Sequence, residues 1–226
     1  MTTIDPNAGH ISYSQRGEDQ FLVNHFKGRG PGRFLDIGAA DGKTFSNVRR
    51  LYETGWTGVL VEGSPLAFPA LIANYPDPER AILILAVVVP YTYNDDRGLL
   101  EPFHVSPDMV SSLSDEHRKK WSTAASFRTV LAPQVSISGV LCAPDVLGRY
   151  FDLISIDVEG SSGQLFAALP NDTLGAEVVI VEYDDAEAAI TAEATRRGFR
   201  VAHKSEENLV LVRDQQRSWM VAESQT

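Results

Sequence analysis

Short apolar runs that end in an acid or a glycine alternate along the chain with stretches whose apolar residues recur at helical spacing. That alternation predicts a mostly parallel sheet with helices on both faces. Residues 33–37 read as a first strand stopping at Gly38. Residues 44–54 follow as a helix with Phe45, Val48, Leu51 and Tyr52 on one side, ended by Gly55. A second strand at 58–62 leads into a helix opened by Ser64 and Pro65, a capping residue with proline in the first turn. Residues 81–89, mostly Ala, Ile, Leu and Val, read as one third strand buried on both faces.

Residues 91–142 break this rhythm and read as an insertion, a lid or hairpin, with a polar helix starting at Ser114. The alternation then resumes with a strand at 152–157, a helix at 161–169, a strand at 177–183 and a helix at 186–197. Strands at 199–203 and 208–212, separated by the turn-prone residues 204–207, predict a closing antiparallel hairpin. Beyond Asp214 the chain is polar, and 214–226 reads as a loose tail apart from Trp219. No repeat or linker interrupts the pattern, so 1–226 is expected to form one domain.

Composition narrows the class. The 226 residues are 43% hydrophobic and 22% charged, which excludes intrinsic disorder. The 30 acids against 20 bases leave a net charge of −10, which opposes a nucleic-acid partner. The one cysteine, Cys142, permits neither an intramolecular disulfide nor a thiolate zinc site. The first residues lack the basic and apolar segments of a signal peptide. The longest apolar run falls far short of the roughly 20 residues a membrane span needs. A cytoplasmic location with no membrane partner is therefore expected.

In sheets of this kind ligands bind outside the carboxyl ends of the strands, and four of those ends carry acids. The first is the glycine turn from Asp36 through Gly38, Ala39, Ala40 and Asp41 to Gly42. A dinucleotide site needs a glycine where Ala40 stands, and acids beside a pyrophosphate repel it. A cofactor with cationic groups and no phosphate, such as S-adenosylmethionine, suits Asp36 and Asp41 better, its carboxylate resting on N–H groups of the turn. Glu62 ends the second strand, 26 residues after Asp36, where an acid takes both ribose hydroxyls.

Several blocks share a second pattern: Ser14 to Asp19, Phe34 to Gly42, Ser46–Asn47 with Leu51 to Glu53 and Gly55 to Gly58, Val61–Glu62, and Ile156 to Gly160. In this order and spacing they resemble the FkbM-like S-adenosylmethionine-dependent methyltransferases, over residues 12 to 213. The resemblance implies an α/β class I methyltransferase fold, Rossmann-like, with seven strands in the order 3-2-1-4-5-7-6 and the seventh antiparallel. It implies that Asp36, Gly38, Ala39 and Glu62 hold the cofactor, with Gln15, Glu18 and Asn47 closing over it. Ala40, Asp41, Gly63, Ser64 and Asp157 adjoin that set. The third strand ends without an acid, so Ala86 and Val87 are expected to hold the adenine through backbone and apolar contact.

For the chemistry, Asp157 and Glu159 share one side of the fourth strand's end, and Glu182 and Asp184 repeat the spacing on the fifth. Such converging acids suggest a Mg2+ site of Asp157, Glu182 and Asp184, as in related class I O-methyltransferases. Other methyltransferases use the same positions without metal, one acid binding the methionine ammonium and another acting as base, and the sequence leaves both open. His104, in the insertion, is the histidine candidate for general base. Ser111 to Leu113 would line an acceptor pocket, and Arg118 to Lys120 form either a solvated face or a contact to an anionic acceptor. The expected activity is O-methylation of a hydroxyl on a sugar or small natural product, with a small-molecule or glycan acceptor. A nicotinamide-dependent oxidoreductase and a non-catalytic binding module are the alternatives.

Overall fold

The computed structural model describes residues 12–90, 100–107, 110–148, 150–170 and 175–214, so the tail with Trp219 and parts of the insertion lie outside the described residues. In chain order the elements are α1 (Glu18–His25), β1 (Arg33–Ile37), α2 (Arg49–Glu53), β2 (Thr57–Glu62), α3 (Phe68–Asn74), β3 (Ala81–Leu85) and β4 (Val87–Val89). Next come β5 (Leu100–Val105), α4 (Asp115–Trp121), β6 (Arg128–Ser136) and α5 (Ile137–Leu141). The last are β7 (Leu153–Ile156), α6 (Ser162–Ala168), β8 (Val178–Glu182), α7 (Glu187–Arg196), β9 (Phe199–Lys204) and β10 (Asn208–Arg213).

Seven strands form one sheet in the order β3-β2-β1-β7-β8-β10-β9. The pairs from β3 to β8 are parallel, and β10 runs antiparallel to both β8 and β9. This is the class I methyltransferase arrangement expected above. Alternation along the strands explains its two-sided core. Leu35, Ile37, Ile154 and Ile156 face the cluster completed by Val140, Phe166 and Ile190 from α5, α6 and α7. Phe34, Leu60 and Leu153 face the other, completed by Leu22, Leu51 and Leu71 from α1, α2 and α3. Asp36, one step from Leu35 and two from Phe34, belongs to the second face and stands level with Ser155 across the β1–β7 pair.

Three elements depart from the sequence expectation. The apolar run at 81–89 is two strands: β3 completes the main sheet, the chain bends at Ala86, and β4 pairs with β6 in a separate three-stranded sheet with β5. An unbroken apolar run cannot reveal where a strand changes partners. The helix expected over 44–54 is confined to α2, because Asp41 and Ser46 capture the backbone N–H groups of Lys43, Thr44, Val48 and Arg49 in local turns. Ser64 opens a turn through Leu66, Ala67 and Phe68, and α3 begins at Phe68 with Pro69 in its first turn.

Candidate active site

A cavity of about 390 Å³ opens at the carboxyl ends of β1, β2 and β7, roofed by residues of the insertion. Its floor is the turn after β1, where Asp36, Gly38, Ala39, Ala40 and Asp41 all line it. Glu62, Gly63 and Ser64 form the wall after β2, and Ala86 and Val87 the wall at the β3–β4 bend. Gln15, Asn47 and Asp157 complete the inner surface. Phe103, Ser106, Ser111 and Leu113 close it from the insertion, while Ser112, expected to line it with its two neighbours, is turned to Glu159 O instead.

The acids of this cavity differ in what they are free to do. Asp41 is consumed by its own turn, accepting from the N–H groups of Lys43 and Thr44 and from the Thr44 hydroxyl. Glu62 braces two loops, accepting from Ala40 N at 2.7 Å and Ser64 N at 2.5 Å. Gly63 N–H also donates to it, and since a carboxylate has about four lone-pair sites, about one remains for a ribose hydroxyl. Asp36 is 5% exposed, and burial pushes its pKa up to about 7, with the Ser155 hydroxyl holding it down and Glu62 pushing it further up. Ser155 also accepts from Asn47 Nδ2 at 3.4 Å, so one serine links the two residues. A lone hydroxyl in the otherwise apolar strand 153–156 was the sequence signal for it.

The turn itself departs from one expectation. The N–H groups of Gly38 and Ala39 donate to Val61 O, and that of Ala40 donates to Glu62. The first two donors are spent on β2 and the third on the Glu62 carboxylate, so none of these three awaits a cofactor carboxylate. Ala40 adopts φ 49, in the left-handed region that favours glycine, while keeping its methyl group.

At the far end of the cavity lies a second group of acids. Asp157 and Glu159 line the cavity, and Glu182 accepts from Ser162 Oγ at 3.2 Å beside them. Burial is the first cause of the raised pKa of each, to about 8 for Asp157, 9 for Glu159 and 10 for Glu182, and mutual repulsion is the second. Glu159 and Asp184 both hold positive φ, 54 and 41, a left-handed backbone that Asp adopts more readily than Glu.

Three sequence assignments fall elsewhere. Glu18 is fully buried outside the cavity, accepting from Ser205 Oγ and Asn208 Nδ2 and so tying α1 to the β9–β10 turn. His104 is turned to the β5–β6 pair, with Nδ1 2.9 Å from Thr129 Oγ1 and Nε2 3.2 Å from Asp115, and does not line the cavity. Its place in the insertion was read correctly, but a strand presents alternate residues to opposite faces, and Phe103 took the inward one. Asp184 accepts from Gly160 N at 3.1 Å, and the clustered acids are Asp157, Glu159 and Glu182. His117, which sequence reasoning passed over, is 6% exposed with Nε2 3.2 Å from Glu159 Oε2. Only the docking of α4 on the loop after β7 makes it visible.

Residues 36–201 match the methyltransferase FkbM domain. The chain belongs to the FkbM methyltransferase family. No curated protein matches it by sequence. Among solved structures, the FkbM methyltransferase of Methylobacillus flagellatus KT aligns with TM-score 0.50 and 11% identity, covering 88% of this chain and 48% of that one. The ribosomal protein L11 methylase of Lactobacillus delbrueckii subsp. bulgaricus aligns at TM-score 0.46 and 12% identity over 88% and 77%. The TehB-like S-adenosylmethionine-dependent methyltransferase of Corynebacterium glutamicum aligns at 0.44 and 12% over 89% and 88%. At such identities the FkbM neighbour shows a shared fold.

This FkbM-family chain is thus an S-adenosylmethionine-dependent methyltransferase, and its residues suit that cofactor. Among the described residues Asp36 is a buried carboxylate without a cationic partner that faces the cavity, and Glu62 retains some acceptor capacity for a ribose. The raised pKa of Asp36 has a thermodynamic consequence. Its proton is held more tightly in the folded chain than in the unfolded, so the stability it contributes is complete below pH about 4 and is lost as pH rises through about 7. We expect the melting temperature of the free chain to fall between pH 5 and 8, and less steeply in Asp36→Asn. Cofactor binding should strengthen over the same interval, because the ionised carboxylate is the form that attracts a cation. Thermal melts with and without S-adenosylmethionine at pH 5.5, 6.5 and 7.5 check both trends, and parallel curves for wild type and variant would contradict them.

Proposed function

We propose that the enzyme methylates a hydroxyl group of a sugar or small natural product, with Asp157 and Glu159 flanking the transferred methyl. The observation that carries this is the placement of these two carboxylates in the same cavity as Asp36 and Glu62, one strand further along the sheet. S-adenosylmethionine supplies a methyl group made electrophilic by its sulfonium. The remainder of the work falls to the chain. The acids on β1 and β2 orient the donor, the insertion wall excludes water, and a carboxylate at the end of β7 receives the proton of the hydroxyl. Beside a bound cation the pKa values of Asp157 and Glu159 fall, which brings them toward the range useful to a base.

The acceptor wall supports a small, partly polar molecule: Ser106 and Ser111 offer hydroxyls between the apolar surfaces of Phe103 and Leu113. Arg118 is paired with Asp115, and Lys120 lies 3.9 Å from Asp184, so neither favours an anionic acceptor over these local acids. A glycan or small-molecule partner and a cytoplasmic location belong to the same proposal. Among the described residues no helix is long and apolar enough to cross a membrane. Mg2+ held by Asp157, Glu182 and Asp184 is the second reading, with Asp157 and Glu182 among the clustered acids and Asp184 turned to Gly160 N.

Incubation with methyl-labelled S-adenosylmethionine and a panel of glycosides and hydroxylated natural products, followed by product identification, tests the reaction. The expected product is a methyl ether. Glu159→Gln should reduce turnover by roughly 100-fold or more, the usual contribution of general base catalysis, with cofactor affinity little changed. A labelled amine or thiol as product, or full turnover in that variant, would contradict the proposal.

A further inference from the structure

The turn between β9 and β10 reaches the cavity through one side chain of the segment that precedes α1. Gln15 lines the cavity, and its Nε2 donates to Glu207 Oε1 at 2.6 Å. Glu207 itself is partly buried and does not line the cavity. Its charge is nonetheless felt there: after burial and nearer acids, Glu207 raises the pKa of Asp157 and of Glu159. The contact therefore stands on the β7 side of the cavity, where the sulfur and amino group of the cofactor are expected.

The backbone at both ends of this contact is held by other means. Buried Asp19 accepts from Ser12 Oγ at 2.6 Å, Tyr13 N at 2.7 Å and Ser14 Oγ at 2.8 Å. Ser14 also bridges to Phe45, another residue of the cavity wall. On the other side, Glu207 O accepts from Tyr183 N at 2.9 Å, and Glu207 N donates to Ser205 Oγ at 3.4 Å. Arg16 ties the two segments together through Glu206, 2.7 Å away. What the Glu207 carboxylate adds is the direction of one amide. Burial raises its pKa, and Arg16, 3.9 Å away, counters that shift toward the ionised form. An ionised carboxylate only accepts, whereas a glutamine amide carries two N–H donors and a carbonyl acceptor. Glu207 thus draws the NH2 group toward itself and leaves one N–H and the carbonyl oxygen of Gln15 for a ligand.

We propose that Glu207 is a positioning residue for cofactor binding, holding the Gln15 amide oriented at the cavity wall so that Gln15 hydrogen-bonds the methionine end of S-adenosylmethionine. An amide already fixed in the free chain spares the complex the cost of immobilising a flexible side chain when the cofactor enters. The proposal rests on the cavity holding the cofactor and is independent of the acceptor's identity.

Isothermal titration calorimetry of the full chain with S-adenosylmethionine, with a melt on each sample, tests it. Glu207→Ala should weaken binding roughly 5-fold, the scale of ordering one freed side chain. Gln15→Ala should weaken it about 10-fold. The double variant should bind no more weakly than Gln15→Ala, because Glu207 acts through Gln15. Glu207→Gln keeps a carbonyl acceptor for the Gln15 N–H and should stay within about 2-fold of wild type, a rescue that separates positioning from an effect of the Glu207 charge. Wild-type affinity in folded Glu207→Ala, losses that add in the double variant, or Glu207→Gln as weak as Glu207→Ala would overturn the proposal. Asp36→Ala in the same titrations separates two failures. A loss there with none in Glu207→Ala refutes the positioning role and spares the cavity as the cofactor site. Unchanged affinity in both Asp36→Ala and Gln15→Ala removes the cofactor from the cavity, and the proposal falls with it. If Gln15→Ala does not fold, the contrast between Glu207→Ala and Glu207→Gln decides alone.

Discussion

Asp36→Ala is expected to lower the affinity for S-adenosylmethionine by about 30-fold or more. Of the three acids around the glycine turn, Asp41 is committed to the N–H groups of Lys43 and Thr44, and Glu62 to those of Ala40 and Ser64. Among the described residues Asp36 has only the Ser155 hydroxyl to stabilise its charge, and Glu62 beside it opposes that charge. A cationic group entering the cavity therefore meets its strongest uncompensated attraction there. Truncating one partner of a buried charged pair costs about 2–5 kcal/mol, and each ~1.4 kcal/mol is tenfold in affinity. The loss should not come from unfolding, because a buried carboxylate with a raised pKa burdens the fold. Isothermal titration calorimetry, with a melt on the same sample, measures both. Unchanged affinity in Asp36→Ala would remove this residue from the site, and Ser155→Ala should give a smaller loss in the same direction.

Gly38→Ala should be the most damaging small substitution in the chain. Gly38 has φ +88, and a Cβ there would lie 1.6 Å from the carbonyl oxygen of Asp157 and 2.6 Å from its carbon. Both obstructing atoms are backbone, and that backbone is held by the Asp157 N–H donating to Ile37 O at 2.9 Å. Relief requires β1 and β7 to separate at the centre of the sheet. A cost of about 4 kcal/mol or more is expected, a large part of the 5–15 kcal/mol available to a domain. For a chain of this size each kcal/mol lowers the melting temperature by about 2–4 °C. Gly17→Ala is the control, since it has nearly the same φ, +87, with nothing within 4 Å of the added carbon. Its cost should stay near 1–2 kcal/mol. Equal melting temperatures for the two variants would show that the contact with Asp157 is not what constrains Gly38.

The strand ends were legible in the sequence because burial on both faces makes each parallel strand a continuous apolar run, and an acid stops such a run abruptly. Asp36, Glu62, Asp157 and Glu182 follow from that rule alone, and β1, β2, β7 and β8 were located within a residue or two. The closing antiparallel hairpin was readable from the turn at 204–207. What the sequence concealed depends on partners far away in the chain. The division of residues 81–89 at Ala86 is decided by β6, some fifty residues later. That His117 rather than His104 lies beside Glu159 is decided by which face of the insertion meets Gly160. Glu18 resembled a cofactor ligand, yet its partners Ser205 and Asn208 come from the last hairpin. Local pattern identifies which residues carry chemistry, and the packing of the insertion determines which of them meet.

The central claim is that one cavity holds the cofactor on Asp36 and Glu62 and presents its methyl to Asp157 and Glu159. A crystal structure with S-adenosylhomocysteine tests it most directly. The expected result places the amino group of the ligand beside Asp36, a ribose hydroxyl on Glu62, the adenine against Ala86 and Val87, and the sulfur facing Asp157 and Glu159. A ligand bound with its sulfur turned away from β7, or seated outside the cavity while Asp36 keeps only Ser155 as its partner, would contradict the account.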